Sequence, residues 1–276
     1  MIFVPKNNHN QIKRKFDMEN RKAKTSWGNV ASWYDDLLRG EKTYQKEVVL
    51  PNLLRIMDIK REEKILDIAC GQGFFTNEFA KLGAEVYGTD ISKELIDLAN
   101  KNSPESIKYF VSSAQKIIFA ENNTFDKLTI ILAAQNMESF GVTLKECSRI
   151  LKSGGKLFLV LNHPAYRIPK KSDWGFDENR NIQYREVESY MSEIMTKIDM
   201  NPGEKDPRKK EYTVSFHKPL QSYFRDFNGS GFCVERLEEW ISNKKSQGGL
   251  RQKAEDKARK EIPLFMCIEV VKKFKI

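Results

Sequence analysis

The sequence predicts an α/β fold in which helices cover both faces of a mostly parallel sheet. Helical and strand patterns alternate five times between Thr43 and Leu161, and parallel strands joined by helices form right-handed crossovers. Two glycines follow the first strand, and acidic residues lie near the ends of the first two strands. Open sheets of this kind bind ligands at the carboxyl ends of their strands, so a site is expected there.

The strongest local pattern is the stretch Lys64–Ala80, KILDIACGQGFFTNEFA. An apolar run ends at Asp67-Ile68-Ala69, a turn containing Gly71 and Gly73 follows, and a helical pattern begins after the turn. Glycine allows positive φ and lets a ligand approach the backbone, while a helix N-terminus presents free N–H groups to anionic ligands. The pattern predicts a nucleotide-binding corner, with an ordinary strand-to-helix turn as the alternative.

The spacing within this turn separates two classes of ligand. The dinucleotide fingerprint G-x-G-x-x-G has Gly or Ala at its third position, where this sequence has Thr76. The pattern Asp67-x-x-x-Gly71-x-Gly73 instead resembles the first motif of class I S-adenosylmethionine (SAM) methyltransferases. The resemblance implies that SAM is the cofactor and that it is contacted by Asp67, Ala69, Gly71 and Gly73.

The second strand, Glu85–Asp90, also ends in an acid, and Ser92 is a suitable N-cap for the helix that follows. A carboxylate at this distance beyond Gly73 can accept both ribose hydroxyls of a bound nucleoside. The resemblance therefore implies that Asp90 and the adjacent Ile91 contact the nucleoside. The alternative is a solvated acid at the end of a strand.

Two further strands are expected to complete the cofactor site. After the third strand, Ile107–Val111, many similar methyltransferases carry an acid that accepts from the adenine amino group. This sequence has Ser113-Ala114-Gln115 there, and the serine hydroxyl or a backbone carbonyl would accept instead. The fourth strand, Phe125–Leu132, runs into Ala133, which the resemblance places near the transferable methyl group. The polar pair Gln135-Asn136 follows at the same ligand-binding edge.

Composition and apolar spacing before the first strand predict a disordered tail followed by two helices. Residues 1–25 are polar and charged without apolar periodicity, which is typical of disorder. Helices are expected over Ser26–Leu38 and Lys42–Met57, the second with a kink at Pro51. In the small-molecule, UbiE-like (type 11) methyltransferases that the chain resembles, such helices cover the cofactor. Tyr34 is then a cofactor or lid contact, or else a packing aromatic.

A long interruption, residues 162–217, follows the fifth strand, Lys156–Leu161. A loop longer than about 12–15 residues usually has structure or a role of its own, so it is interpreted as a substrate cap with a helix over Ser189–Ile198. The expected remaining elements are a helix (Pro219–Asn228), a sixth strand (Cys233–Trp240), a basic helical segment (244–261) and a last strand (Leu264–Lys272). The resemblance implies a Rossmann-like seven-stranded sheet, its last strand antiparallel, in one methyltransferase domain spanning 26–276.

Composition and charge limit the partners. The net charge of the 276 residues is +9, and residues 1–24 and 244–261 carry +5 and +4 of it. These segments are solvated, or they bind RNA or another anionic surface. No run approaches the roughly 20 apolar residues of a membrane span. Four widely spaced cysteines without a C-x-x-C motif indicate neither a metal site nor a disulfide framework, which favours the cytoplasm.

Few side chains could serve as a general base, which methyl transfer needs only for a hydroxyl or acidic-carbon acceptor. His163 follows the fifth strand directly, and His217 lies where the chain returns from the cap. Both are candidate catalytic residues, and a structural role is the alternative for each. The leading interpretation is SAM-dependent methyl transfer to a small-molecule acceptor at O, N or C. An RNA methyltransferase and a non-catalytic SAM-binding subunit are the alternatives.

Overall fold

The computed structural model describes residues 42–273 of the chain. The predicted tail, the predicted helix Ser26–Leu38 and the predicted contact residue Tyr34 lie outside this described part. The seven strands of the central sheet are β1 (Lys64–Ile68), β2 (Glu85–Asp90), β3 (Lys108–Val111), β4 (Phe125–Ile131), β5 (Leu151–Asn162), β10 (Phe232–Trp240) and β11 (Phe265–Lys272). Four more strands, β6 to β9, belong to residues 162–217.

The sheet order is β10-β11-β5-β4-β1-β2-β3. Strands β1 to β5 pair in parallel, whereas β11 is antiparallel to both β5 and β10. This confirms the predicted Rossmann-like sheet of seven strands with an antiparallel last strand.

Helices cover both faces of the sheet. They are α1 (Leu50–Met57), α2 (Phe74–Ala80), α3 (Lys93–Asn102), α4 (Phe140–Ile150), α5 (Leu220–Gly229) and α6 (Gln252–Glu261). Helices α4 and α5 contribute to the apolar core on one face, and α1 and α2 contribute to the core on the other face. A π-helical turn, Gln45–Val49, leads into α1 close to the predicted kink at Pro51.

Strand β1 shows why the chain forms a sheet buried on both faces. Ile65 packs into one core, whereas Leu66 and Ile68 pack into the other. A strand with helices on both sides reads as a continuous apolar run rather than as an alternating one. The single acid in this run, Asp67, is therefore carried into the interior at the ligand-binding edge.

Residues 162–217 fold as two antiparallel hairpins. Strands β6 (Ser172–Asp177) and β7 (Ile182–Val187) form one, and β8 (Ile194–Asp199) and β9 (Tyr212–His217) form the other. The predicted helix over Ser189–Ile198 is wrong. The β-branched residues Ile194, Thr196 and Ile198 alternate with period two, which suits a strand, and β9 supplies the pairing partner.

Two other predicted boundaries differ from the structure. The basic segment 244–261 is helical only from Gln252, because Gly248 and Gly249 lie in the preceding turn region. Strand β5 begins at Leu151 rather than Lys156, since Leu151 already pairs with Phe125 before an irregularity in the register. Within residues 42–273, no helix combines the length and apolarity needed to cross a membrane.

Candidate functional site

A cavity of about 280 Å³ lies at the carboxyl ends of β1, β2 and β4. Its wall includes residues from the turns that follow all four strands β1 to β4. Nine of the predicted cofactor contacts line it: Asp67, Ala69, Gly71, Asp90, Ile91, Ser113, Ala114, Gln115 and Ala133. Gly73, His163 and His217 do not line it.

Asp67 is a buried carboxyl group on the cavity wall, with 1% of its surface exposed. Its Oδ1 accepts from the Thr129 hydroxyl at 2.8 Å, and its Oδ2 accepts from the Thr76 hydroxyl at 3.2 Å. Burial raises the pKa of Asp67 to about 7, although both hydroxyl bonds favour the ionised form. The group can therefore be neutral or charged near neutral pH.

Asp90 connects the end of β2 to the glycine turn. Its Oδ2 accepts from the backbone N–H of Gly71 at 3.0 Å, and its Oδ1 accepts from the backbone N–H of Ser92 at 2.9 Å. Burial raises the pKa of Asp90 above its ordinary value, partly opposed by these backbone bonds. Each carboxylate oxygen has a second lone pair, so Asp90 can still accept from ligand hydroxyls.

The two glycines of the turn have different surroundings. Gly71 has φ +58°, and a Cβ built there would meet nothing within 4 Å. Gly73 has φ +84°, and a Cβ there would lie 2.2 Å from the Tyr109 hydroxyl. Both need the left-handed backbone that favours glycine. Gly71 leaves open space on the cavity side, whereas Gly73 makes room for a neighbouring side chain.

The part of the cavity wall formed by Ile91 and the turns after β3 and β4 combines apolar and polar groups. Ile91 is 68% exposed although it is apolar, so a ligand lying against it would remove its surface from water. The turn after β3 is held by its own hydrogen bonds, since the Ser113 hydroxyl accepts from Gln115 N–H at 3.2 Å. Ala114 and Ala133 contribute only small side chains to the wall.

Two polar atoms on the cavity wall lack a partner within the described part of the chain. They are Gln72 Oε1 and Thr143 Oγ1, on side chains that are 6% and 0% exposed. A buried acceptor without a hydrogen bond costs free energy, so both atoms are suited to a ligand donor. Sequence reasoning missed these residues. Only the position of Gln72 between the two glycines could have indicated a role.

The polar pair after β4 has a structural function. Gln135 exchanges two hydrogen bonds with the backbone of Asn162, which joins the ends of β4 and β5. Asn136 lines the cavity and donates to Val214 O at 3.2 Å and to the Thr213 hydroxyl at 3.3 Å. The β8–β9 hairpin is therefore fixed beside the cavity, but no residue of 162–217 lines it.

His163 is engaged at both ring nitrogens. Its Nδ1 accepts from the backbone N–H of Ala165 at 3.2 Å, so the proton lies on Nε2, which faces Glu239 Oε1 at 2.6 Å. Burial lowers the pKa of His163, partly opposed by Glu239. The ring stabilises the loop after β5 through both nitrogens. Because neither nitrogen is free to accept a proton from an acceptor, this arrangement argues against the predicted role as a base.

His217 also lies in a structural position. The residue is 2% exposed, and Nε2 lies 2.8 Å from the carbonyl oxygen of Tyr190, to which it donates. The Tyr190 hydroxyl in turn accepts from the backbone N–H of Leu220. His217 thus joins the end of β9 to the segment before β8, and the structure does not bring it to the cavity.

The family comparison agrees with this geometry. Residues 66–159, which include most of β1 and all of β2 to β4, match the family model described as a methyltransferase domain (Methyltransf_11). Over these residues the chain is similar to that methyltransferase family. SAM is therefore the cofactor to test against the cavity.

Two curated relatives are quinone-pathway enzymes by name. The chain is 32% identical over 99 residues to a ubiquinone biosynthesis O-methyltransferase of Xanthomonas oryzae pv. oryzae, covering 35% of this chain and 41% of the relative. It is 30% identical over 149 residues to a demethylmenaquinone methyltransferase of Staphylococcus aureus, covering 52% and 61%. The chain thus spans less than two thirds of the length of these relatives.

A solved structure shares the fold of this methyltransferase domain and its neighbouring elements. The SAM-dependent methyltransferase from Mesorhizobium loti superposes with a TM-score of 0.62 at 21% identity, covering 80% of this chain and 96% of that one. At this identity the likeness shows the fold.

The residues present fit SAM in three respects. The space beside Gly71 admits a ligand close to the backbone. The orphaned acceptor Gln72 Oε1 and the carboxyl groups of Asp67 and Asp90 suit N–H and O–H donors, which an aminoacyl group and a ribose supply. The exposed side chain of Ile91 offers an apolar surface for a base.

Proposed function

We propose that this protein transfers the methyl group of SAM to a small-molecule acceptor at an oxygen, nitrogen or carbon atom. The observation that carries the proposal is the meeting of nine predicted cofactor contacts around one cavity within the matched domain. Because the chain covers only part of its relatives, the activity of the whole protein and its acceptor belong to this proposal.

The cofactor-side residues would orient the donor. Bound SAM supplies an electrophilic methyl group on a sulfonium. Asp90 would accept the ribose hydroxyls while its bonds to Gly71 and Ser92 hold the carboxylate still. Gly71 would admit the aminoacyl end, Gly73 would support the same turn, and Ser113, Ala114 and Gln115 would border the adenine. Orientation of this kind contributes roughly 7–11 kcal/mol to bimolecular reactions.

The acceptor would enter beside the end of β4, near Ala133. The β8–β9 hairpin is fixed there through Asn136, and we propose that residues 162–217 cap the acceptor and exclude water. Tyr34, outside the described residues, remains a predicted cofactor or lid contact. A base is not assigned to His163 or His217, because their ring nitrogens serve the fold.

The small-molecule acceptor is favoured over RNA by the names of the curated relatives, both quinone-pathway enzymes. None of the four cysteines is in a disulfide, and Cys147 and Cys267 are buried as thiols. A reducing compartment such as the cytoplasm suits this state, and we propose that the protein acts there.

The experiment is transfer of label from methyl-labelled SAM to cell extract divided into small-molecule and RNA fractions. The full chain should label the small-molecule fraction, and Asp90→Asn should reduce that label at least about tenfold. Asp97→Asn, at an exposed acid paired with Lys93, serves as the control and should label like the wild type. Label entering only the RNA fraction, or no label while SAM is bound, would refute the small-molecule assignment.

A further inference from the structure

The loop after β5 is built around an arginine from the neighbouring hairpin. Arg185 on β7 donates from Nε to the Tyr166 carbonyl at 2.7 Å and from Nη2 to the Ser172 hydroxyl at 2.9 Å. That hydroxyl also bonds to both backbone groups of Ile168. Arg167 lies inside this closed loop, with its N–H bonded to the His163 carbonyl.

Two guanidinium groups meet at one aromatic ring in this loop. The Cζ atoms of Arg167 and Arg185 lie 5.3 Å and 5.2 Å from the centroid of the Trp174 ring. Cation–π contact offsets part of the cost of bringing like charges together. Burial and the charge of Arg185 lower the pKa of Arg167 to about 10.

Neither arginine has an acidic partner within residues 42–273. Other cations of the same insertion do, since Lys171, Arg208 and Lys210 form ion pairs with Glu188, Asp206 and Asp199. Burial lowers the pKa of Arg185, which the charge of Asp173 partly opposes, but the two side chains form no ion pair. Arg167 Nε is in addition buried without a hydrogen-bond acceptor. A buried donor without a partner is costly, and an anion that accepted from this N–H group would remove the cost.

We propose that Arg167 and Arg185 bind a carboxylate or phosphate group of the methyl acceptor. The planar fork of a guanidinium matches either group through paired N–H donors. The loop begins at the end of β5, which Gln135 joins to the end of β4 beside the cavity. The assignment of this anion to the acceptor rests on the proposed methyl transfer, whereas anion binding itself does not.

The test is an NMR titration of the full chain labelled at its arginine side chains. Benzoate and inorganic phosphate are the probes, and the Nε–Hε signal that Arg167→Gln removes is the readout. We expect a saturable shift of this signal with at least one probe. When binding is followed by the Arg185 signal, Arg167→Gln should weaken it about tenfold or more. Arg208→Gln, an exposed and paired arginine, is the matched control and should bind like the wild type.

Arg167→Lys keeps the charge while removing the fork, so it should fold normally and still lose most of the affinity for benzoate. Shifts that do not saturate, or equal binding by wild type and Arg167→Gln, would overturn the proposal. Binding of an RNA oligonucleotide without binding of either small anion would also overturn it. SAM affinity should be unchanged in Arg167→Gln. A wild type that binds the anions but not SAM would refute the proposed function and leave this site standing.

Discussion

At the scale of single residues, the side chain at position 76 explains how the turn differs from a dinucleotide site. The fingerprint has Gly or Ala there to bring helix and strand together. Here Thr76 is fully buried and donates its hydroxyl to Asp67. The threonine therefore stabilises a carboxyl group inside the corner. The sequence was sufficient to reject the dinucleotide pattern, but the pairing of Thr76 with Asp67 required the structure.

Asp67 should make stability depend on pH. Burial raises its pKa in the folded state to about 7, against about 3.9 in the unfolded chain. The folded state then holds the proton more tightly, so this residue lowers the free energy of unfolding as pH rises from about 4 to about 7. In Asp67→Asn this loss should disappear, which makes the variant gain on the order of 3 kcal/mol relative to wild type between pH 4 and pH 8.

The measurement is urea unfolding of both proteins at several pH values without SAM. Comparing the two proteins cancels the titration of all other groups. Asp97→Asn, whose carboxyl group is exposed, is the control and should follow the wild-type curve. Parallel curves for wild type and Asp67→Asn would show that Asp67 is not held in a protonation-sensitive site.

At the scale of elements, the pattern of apolar residues was enough for the sheet but not for the insertion. Most of β1, the end of β4 and the second half of β5 are apolar runs, and buried parallel strands have this appearance. In contrast, Ile194, Met195 and Ile198 fit both a helical stripe and a strand. The choice depended on pairing with Tyr212–His217, a segment distant in the sequence. Pairing between distant segments is not visible in local periodicity.

The same limit applies to the two histidines. His163 was a candidate base because it directly follows the fifth strand, and the end of β5 at Asn162 confirms that position. His217 was a candidate because it lies where the chain returns from the predicted cap, and the structure places it at the end of β9. Their partners, Glu239 and the Tyr190 carbonyl, come from other elements. The orphaned atoms of Gln72 and Thr143 were likewise invisible, because lacking a partner is a property of the packed structure.

One side chain connects the β8–β9 hairpin to the end of β4. Asn136→Ala removes both bonds to Thr213 and Val214, so the hairpin should open more often. Amide hydrogen exchange in β9 should accelerate about three- to tenfold, as expected for a loss of roughly 1 kcal/mol. Hydrogen exchange with mass spectrometry measures this change.

Asn201→Ala provides the comparison, because Asn201 bonds across the far end of the same hairpin to Lys209 and Glu211. It should accelerate exchange near residues 200–211 and leave Val214–His217 unchanged. If Asn136→Ala leaves exchange in β9 at the wild-type rate, the hairpin is held beside the cavity by something else.

At the scale of the whole molecule, the cavity lies within the region that matches the family model. The remaining described residues add strands to the sheet and form the two hairpins beside it. Residues 66–159 contain most of β1, all of β2 to β4 and all the residues that line the cavity. Strands β11 and β10 continue the sheet beyond β5. Glu269 on β11, which is 1% exposed, lies within ion-pair distance of Lys156 on β5 and of Arg236 on β10. The sheet thus forms one body, with the ligand edge at its centre and the insertion beside it.

The measurement that tests the account most directly is a calorimetric titration of the full chain with SAM and with S-adenosylhomocysteine. Both should bind at one site, and Asp90→Asn should weaken SAM at least about tenfold. Because its amide nitrogen cannot accept a hydrogen bond, the variant also loses one of the backbone bonds to Gly71 and Ser92, so it should melt at a lower temperature without ligand but remain folded during the titration. Asp97→Asn should bind like the wild type. If the folded wild type releases no heat of binding with either compound, and adding them does not raise its melting temperature, then the cavity is not a SAM site.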